Sequence, residues 1–233
     1  MLYIVIPYRS REDNLRQFLC ECLPLFKEHL GDFKIVVVEQ GNTKPFNRGL
    51  LLNVGVKEFV KEAGDTVILQ DVDTLPLEPT VANCYAGAAR GAEAVGIYTV
   101  PYTLGGVTKL TQSSFERMNG FPTNYWGWGW EDLALRERAD MAGVQCKVVC
   151  SPDSRHRDWM FRLAPAPESK PLPGPFPGGS HQNALLHHYF DAADHEKKID
   201  IIRRSGLSTT HYRVLRHVVL DKEPRVELLT VDI

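Results

Sequence analysis

The chain has 233 residues, with 27 basic and 29 acidic side chains and a formal net charge of −2 at pH 7. Hydrophobic residues make up 43% and charged residues 24%, the proportions of a globular chain rather than of a disordered tail. The near-neutral balance argues against a nucleic-acid binder, and no apolar run approaches the ~20 residues that a membrane span needs.

At ~150 residues per domain this length suits one large domain, and no linker or internal repeat divides residues 1–233. Met1 opens directly into Leu2-Tyr3-Ile4-Val5-Ile6, too short for a secretory apolar core. The five cysteines form no CxxC pair, which fits neither a disulfide framework nor a zinc cage. They are expected to be reduced thiols of a cytoplasmic protein.

In chain order, Leu2–Ile6, Lys34–Glu39 and Thr66–Leu69 are dense in β-branched and aliphatic residues and predict buried strands. Leu15, Phe18, Leu19 and Leu23 recur at helical steps, with Pro24 expected to end or kink that helix. Leu50, Leu51, Val54, Phe59 and Val60 predict a second helix. Strand and helix in alternation imply an α/β fold with a mostly parallel sheet, whose ligands bind beyond the strand carboxyl ends.

Further on, Ala94–Thr99 and Gly106–Leu110 predict strands, Gln112–Asn119 a short helix and Lys147–Cys150 another strand. Glu131–Ala142 predicts a helix with Leu135, Ala139 and Met141 inward and Arg136, Glu137 and Arg138 outward. Ala164–Gly179 holds six of the fifteen prolines, so residues 157–180 are expected to be a mobile loop. A helix near Gln182–Arg204 and a hairpin of Tyr212–Leu220 with Arg225–Val231 complete the chain.

Four segments carry groups suited to chemistry. Asp71-Val72-Asp73 follows an apolar strand, where two carboxylates at i and i+2 can enter the cleft together and hold Mn²⁺ or Mg²⁺ against a diphosphate. In isolation such a pair is more often a turn or cap. Pro7-Tyr8-Arg9-Ser10-Arg11 and Phe46-Asn47-Arg48 bring guanidinium groups and an aromatic face to strand ends, a pattern suited to phosphate and a base. Asn124–Asp132 packs three of the four tryptophans among glycines before Glu131 and Asp132. Glycines would weaken a core helix or strand, whereas aromatic faces beside carboxylates suit a sugar. His156, flanked by Asp153 and Asp158, is a candidate metal ligand with Asp73. The pair His187-His188 reads only as a feature of a helix face.

Together these segments resemble the β-1,4-galactosyltransferase family, inverting glycosyltransferases of GT-A fold. The ordered matches are Pro7–Arg11, Phe46-Asn47-Arg48 with Leu51–Gly55, Asp71–Asp73, Gly105-Gly106-Val107, Asn119–Pro122, Asn124–Asp132, Arg155-His156, Gly206-Leu207, Tyr212 and Thr230–Asp232. The resemblance implies a single GT-A domain with a Rossmann-like sheet, residues 1–110 binding nucleotide and 111–233 binding acceptor. It implies that Pro7, Tyr8, Arg9, Arg11, Phe46, Arg48, Asp71 and Val72 hold the nucleotide of a UDP-sugar. Trp128 and Gly129 would belong to the loop over the sugars. Asp73, His156 and Asp153 would hold Mn²⁺, with Asp158 a rival to Asp153. Glu131 would bind sugar hydroxyls and Asp132 would be the catalytic base, while Gly106 would pass close to the acceptor.

Departures from the pattern are informative. Asp153 stands where a methionine is usual, Trp130 where a glycine is usual, and Thr103 where galactose-specific members carry a tyrosine. Thr103 therefore suggests room for N-acetylgalactosamine, unless Tyr102 fills the space. Familiar animal members are Golgi-anchored, whereas this chain opens at its first strand, so a short bacterial or viral type is expected. The expected partners are a UDP-sugar and a glycan or glycolipid acceptor, with no nucleic acid and at most peripheral membrane association. The alternatives are a GT-A polysaccharide or lipid-linked oligosaccharide transferase with another donor, or a non-catalytic sugar-nucleotide or glycan-binding protein.

Overall fold

The computed structural model describes residues 1–87, 91–153, 155, 157–164, 181–219 and 225–233. The chain begins with β1 (Leu2–Tyr8), α1 (Glu12–His29), β2 (Phe33–Gln40), α2 (Arg48–Phe59), β3 (Thr66–Gln70) and β4 (Thr74–Pro76). Next come α3 (Glu78–Thr80), running into a π-helical turn at Val81–Tyr85, then β5 (Ala94–Tyr98), β6 (Val107–Thr111), α4 (Gln112–Arg117) and α5 (Glu131–Met141). The last part holds β7 (Cys146–Val148), α6 (Arg157–Met160), β8 (Phe161–Leu163), α7 (His181–Asp191), α8 (His195–Arg204), β9 (Arg213–Val219) and β10 (Val226–Asp232).

One eight-stranded sheet runs in the order β7-β5-β6-β3-β1-β2-β10-β9. β3, β1, β2 and β10 are mutually parallel, while β6 and β9 run against their neighbours. Both faces of the central strands are covered, which is why Ile4 to Tyr8 and Ile35 to Val38 read as unbroken apolar runs. Their alternate residues enter opposite cores. Ile4, Ile6, Ile35 and Val37 meet Phe18, Cys22 and Phe26 of α1, and Val5, Val36 and Val38 meet Leu51 and Val54 of α2. Gly55 lets α2 lie close on β1, since a Cβ there would stand 2.4 Å from Val5 Cγ1.

Several expectations need correction. Pro24 does not end α1, which continues to His29. Pro24 is exposed, so water can satisfy the carbonyl that loses its helical partner. The expected helix over 182–204 is two helices, with Asp194 capping the second through its bond from the Lys197 N–H at 2.9 Å. Residues 157–163, expected as loop, are α6 and β8, and β8 pairs antiparallel with β4. Residues 165–180, the rest of that expected loop, lie outside the described residues. Arg138 does not face outward. It is 3% exposed and donates to the carbonyls of Asn119 at 3.2 Å, Gly120 at 3.1 Å and Ser205 at 2.5 Å.

Candidate active site

The carboxyl ends of β1 and β3 and the first turns of α2 and α5 open onto a cleft of about 380 Å³. Asp71, Val72 and Asp73 form the turn between β3 and β4, with the Thr74 N–H reaching the Asp71 carbonyl at 3.2 Å. Gln70 props this turn from inside. Its buried amide donates to the carbonyls of Asp71 at 2.8 Å and Thr74 at 2.7 Å and accepts from the Tyr85 hydroxyl. Both carboxylates meet arginines. Asp71 takes Arg48 Nε at 2.7 Å, and Asp73 takes Arg11 Nη1 at 2.6 Å.

Arg48 is the first residue of α2, whose N-cap Asn47 accepts the Leu50 N–H at 2.9 Å and ties itself to the Thr123 carbonyl at 2.9 Å. Its guanidinium lies over the Phe121 ring at 5.7 Å and reaches to 3.9 Å from Glu131 Oε1. Nη1 is buried with no hydrogen-bond partner among the described residues. Burial alone would lower the Arg48 pKa, but Asp71, Glu131 and Asp132 outweigh it and hold it above its usual value. The nearby Glu131 carboxylate offsets part of the cost of a buried, charged N–H that makes no hydrogen bond.

Glu131 and Asp132 open α5. Burial, then the neighbouring Asp132, push Glu131 up to about 7, against the pull of Arg48. Asp132 is fixed on two sides: its Oδ1 accepts the Leu133 N–H at 2.8 Å, and its backbone carbonyl accepts the Leu104 N–H at 3.1 Å. Gly105 lies directly against it, since a Cβ at 105 would stand 2.7 Å from Asp132 Oδ2. Gly106 has φ +55 and passes close to the Tyr98 carbonyl, where no side chain fits. On the opposite rim the Gly127 N–H docks on the Phe46 carbonyl at 2.8 Å, Arg9 lies over the Phe46 ring at 5.5 Å, and Trp128 is 52% exposed.

Of the residues expected to form the site, Pro7, Arg9, Arg11, Phe46, Arg48, Asp71, Val72, Asp73, Gly106, Trp128, Glu131 and Asp132 all line this cleft. Tyr8 does not. It is buried in the α1 side of the core, because the alternation of β1 turns it away from Pro7 and Arg9. Gly129 contributes a carbonyl to α7 rather than a wall. The Thr103 hydroxyl is committed to Thr99 at 2.6 Å, and Thr99 in turn accepts the Gly105 N–H at 3.0 Å. Thr103 thus supports the Gly105 turn from behind, while Tyr102 is 64% exposed. Gln70 is not among the residues the sequence singles out, and Phe121 and Gly127 fall inside the matched segments Asn119–Pro122 and Asn124–Asp132 without a role of their own. A polar residue closing an apolar strand, directly before Asp71, was the available signal for Gln70.

Asp73 offers one hard oxygen donor, and its present partner is cationic, as a metal ligand's should be. His156 lies outside the described residues. Asp153 is exposed, and Asp158 is held by Arg157 at 2.9 Å. No group of three His, Cys, Asp or Glu side chains gathers among the described residues. The donor chemistry at Asp73 suits Mn²⁺ or Mg²⁺.

A mostly parallel sheet whose strand ends hold an Asp-x-Asp turn opposite a Glu-Asp helix start defines a GT-A-type glycosyltransferase fold. Residues 1–86 match the N-terminal region of glycosyl transferase group 7, and residues 91–162 match the N-terminal domain of galactosyltransferase. The two matches take in well over half of the chain, which belongs to this galactosyltransferase family. Beta-1,4-galactosyltransferase 6 of Mus musculus is 39% identical over 146 residues, covering 60% of this chain and 38% of its own length. Beta-1,4-galactosyltransferase 3 of Homo sapiens is 38% identical over 151 residues, covering 61% and 38%. The chain thus spans less than half the length of these relatives. They are mammalian proteins and lend no support to the expected bacterial or viral type.

Among solved structures, the catalytic domain of Drosophila β1,4-galactosyltransferase 7 with xylobiose matches at TM-score 0.75 and 21% identity, covering 100% of this chain and 93% of that one. A mutant of that enzyme with manganese, UDP-Gal and xylobiose matches at TM-score 0.67 and 23% identity, with the same coverage. At these identities the likeness is one of fold.

Proposed function

We propose that the chain is a metal-dependent inverting hexosyltransferase that moves galactose or N-acetylgalactosamine from a UDP-sugar to a glycan or glycolipid hydroxyl. One observation carries this reading: Asp132, at the start of α5, opens on the same cleft as the Asp71–Asp73 turn and the guanidinium groups of Arg11 and Arg48. In inverting transfer the acceptor oxygen attacks the anomeric carbon opposite the leaving UDP, so one base suffices and no covalent enzyme intermediate forms. Asp132 takes the acceptor proton as the new C–O bond forms, and the electron pair of the broken bond leaves with the diphosphate. Arg11 and Arg48 stand where charge grows on that leaving group. Phe46 offers a face to uracil, Asp71 contacts the ribose, Trp128 covers the sugars, Glu131 binds a sugar hydroxyl and Gly106 lets the acceptor approach.

Asp73, His156 and Asp153 are the proposed metal ligands, Asp153 being preferred to Asp158 because it stands at the position where the family usually carries a methionine ligand. A bound Mn²⁺ would neutralise diphosphate charge. The manganese and UDP-Gal in the related Drosophila enzyme support this choice. Residues 1–110 are proposed as the nucleotide half and 111–233 as the acceptor half of one domain. All five cysteines are free thiols, which supports a reducing, cytoplasmic setting testable by cell fractionation. No helix among the described residues is long and apolar enough to cross a membrane.

The test is UDP release from UDP-Gal and UDP-GalNAc, with Mn²⁺ and with chelator, in the presence of glycan acceptors. Asp132→Asn should keep UDP binding and lose transfer by at least ~10²-fold. Near-parental transfer by that variant, or transfer indifferent to chelation, refutes the proposal.

A further inference from the structure

The tryptophan loop is gripped from outside the cleft by α7. Asn183 is 1% exposed, and its carboxamide spans the loop: Oδ1 accepts the Trp126 N–H at 3.2 Å, and Nδ2 donates to the Gly129 carbonyl at 2.9 Å. One turn further along, the buried His187 ring stacks on Trp130 with centroids 4.8 Å apart and planes 27° apart, while His188 meets the same ring tilted at 5.9 Å. Behind that stack His187 Nδ1 lies 3.5 Å from Glu137 Oε2 without a hydrogen bond, where α7 packs on α5.

Trp130 is the residue that makes this grip consequential. It has φ +77, a left-handed conformation that a bulky L-residue rarely adopts, and as N-cap of α5 its side chain accepts no capping hydrogen bond. The direction in which the backbone leaves Trp130 fixes where Glu131 and Asp132 point. A disfavoured conformation persists only where its surroundings over-determine it. Here the surroundings include the Asn183 carboxamide, which holds the loop backbone at Trp126 and Gly129, and the His187 ring stacked on Trp130. Neither side chain lines the cleft.

We propose that Asn183 and His187 are positioning residues that lock the Trp126–Trp130 loop and thereby aim the Glu131–Asp132 pair into the cleft. The inference rests on the transferase reading for its consequence, but the lock itself is measurable without turnover. Loss of the carboxamide lets Trp130 relax, which misdirects the acid pair and loosens the Gly127–Phe46 bond, while the side chains of Arg9 and Arg11, which bond neither Asn183 nor His187, keep their places. A misplacement of an ångström at the reacting groups is worth up to ~10²-fold in rate.

The experiment compares Asn183→Ala, His187→Ala and the ring-preserving His187→Phe with the parent, and adds Trp130→Gly to Asn183→Ala. Amide hydrogen exchange is read at Gly127, whose bond to Phe46 none of these substitutions removes. Exchange at Gly127 should speed up in Asn183→Ala and His187→Ala and stay near parental in His187→Phe. For UDP-sugar transfer, kcat should fall ~10-fold or more in the alanine variants with the donor KM changed less than about twofold. Trp130→Gly should restore part of the lost kcat in the Asn183→Ala background, because glycine holds φ +77 without support. Parental exchange at Gly127 in both alanine variants overturns the lock. Faster exchange with kcat unchanged overturns the positioning role. Faster exchange in a chain that transfers no sugar, and whose parent transfers none, refutes the transferase reading and leaves the lock standing.

Discussion

Glu131 and Asp132 leave the same turn of α5, yet they meet different surroundings. Glu131 is enclosed between Asp132 and Arg48, and burial holds its proton up to about 7 against an ordinary 4.5. The sign of the stability effect follows. Between those values the folded chain binds a proton that the unfolded chain has lost, so this group makes stability fall as pH rises through the window. Glu137, pushed up to about 7 chiefly by burial, acts in the same sense, so the parent curve alone cannot isolate Glu131. The difference between Glu131→Gln and the parent does. In urea unfolding the variant should gain on the parent progressively from about pH 4.5 to about 7 and then hold level. A difference independent of pH would place the Glu131 proton elsewhere. At Gly105 the constraint is steric. Gly105→Ala should displace the Asp132 carboxylate and lower transfer by ~10-fold or more while UDP affinity, measured calorimetrically, stays close to parental.

At the scale of elements, the same helix shows how much of the molecule was legible in the sequence. The central strands and both flanking helices could be read because apolar period is what burial selects. Asp71, Asp73, Glu131, Asp132 and the arginines at 9, 11 and 48 could be read because charged groups just after a buried strand or at a helix start fall at the cleft edge of such a sheet. What escaped was polar and buried. Arg138 looks like a surface residue by its neighbours, yet it satisfies three carbonyls in the Asn119–Gly120 turn and at Ser205, which no periodicity encodes. Asn183 and His187 escaped for the same reason, since their partners Trp126, Gly129 and Trp130 lie far back along the chain, whereas Gln70 and Thr103 serve near neighbours that only the fold of a turn brings into reach. Burial lowers the Arg138 pKa to about 10, so it remains charged at neutral pH and its loss is expensive. Arg138→Met should destabilise by at least ~2 kcal/mol in chemical denaturation, because it strands those acceptors in the interior. A cost within ~0.5 kcal/mol would mean that water replaces the guanidinium there.

At the scale of the whole molecule, the sheet interleaves distant parts of the chain. β10, from the last residues, lies parallel against β2, while β6 and β5 extend the other edge beyond β3. Neither residues 1–110 nor residues 111–233 hold a complete sheet, so thermal unfolding should show one transition, and a ligand at the cleft should shift all of it. UDP with Mn²⁺ at 100 times its Kd adds ~2.7 kcal/mol, which at ~2–4 °C per kcal/mol raises Tm by roughly 5–10 °C. Asp73→Ala separates metal from nucleotide in this shift. In the parent, Asp73 is paired with Arg11 at 2.6 Å, so the arginine is partly spent on the carboxylate. Removing the carboxylate frees Arg11 for phosphate, and the shift given by UDP with chelator should stay equal to the parent's or rise. The additional shift given by Mn²⁺ should disappear. Two separate transitions would divide the domain, and an Mn²⁺ increment that survives in Asp73→Ala would move the metal away from the Asp71–Asp73 turn.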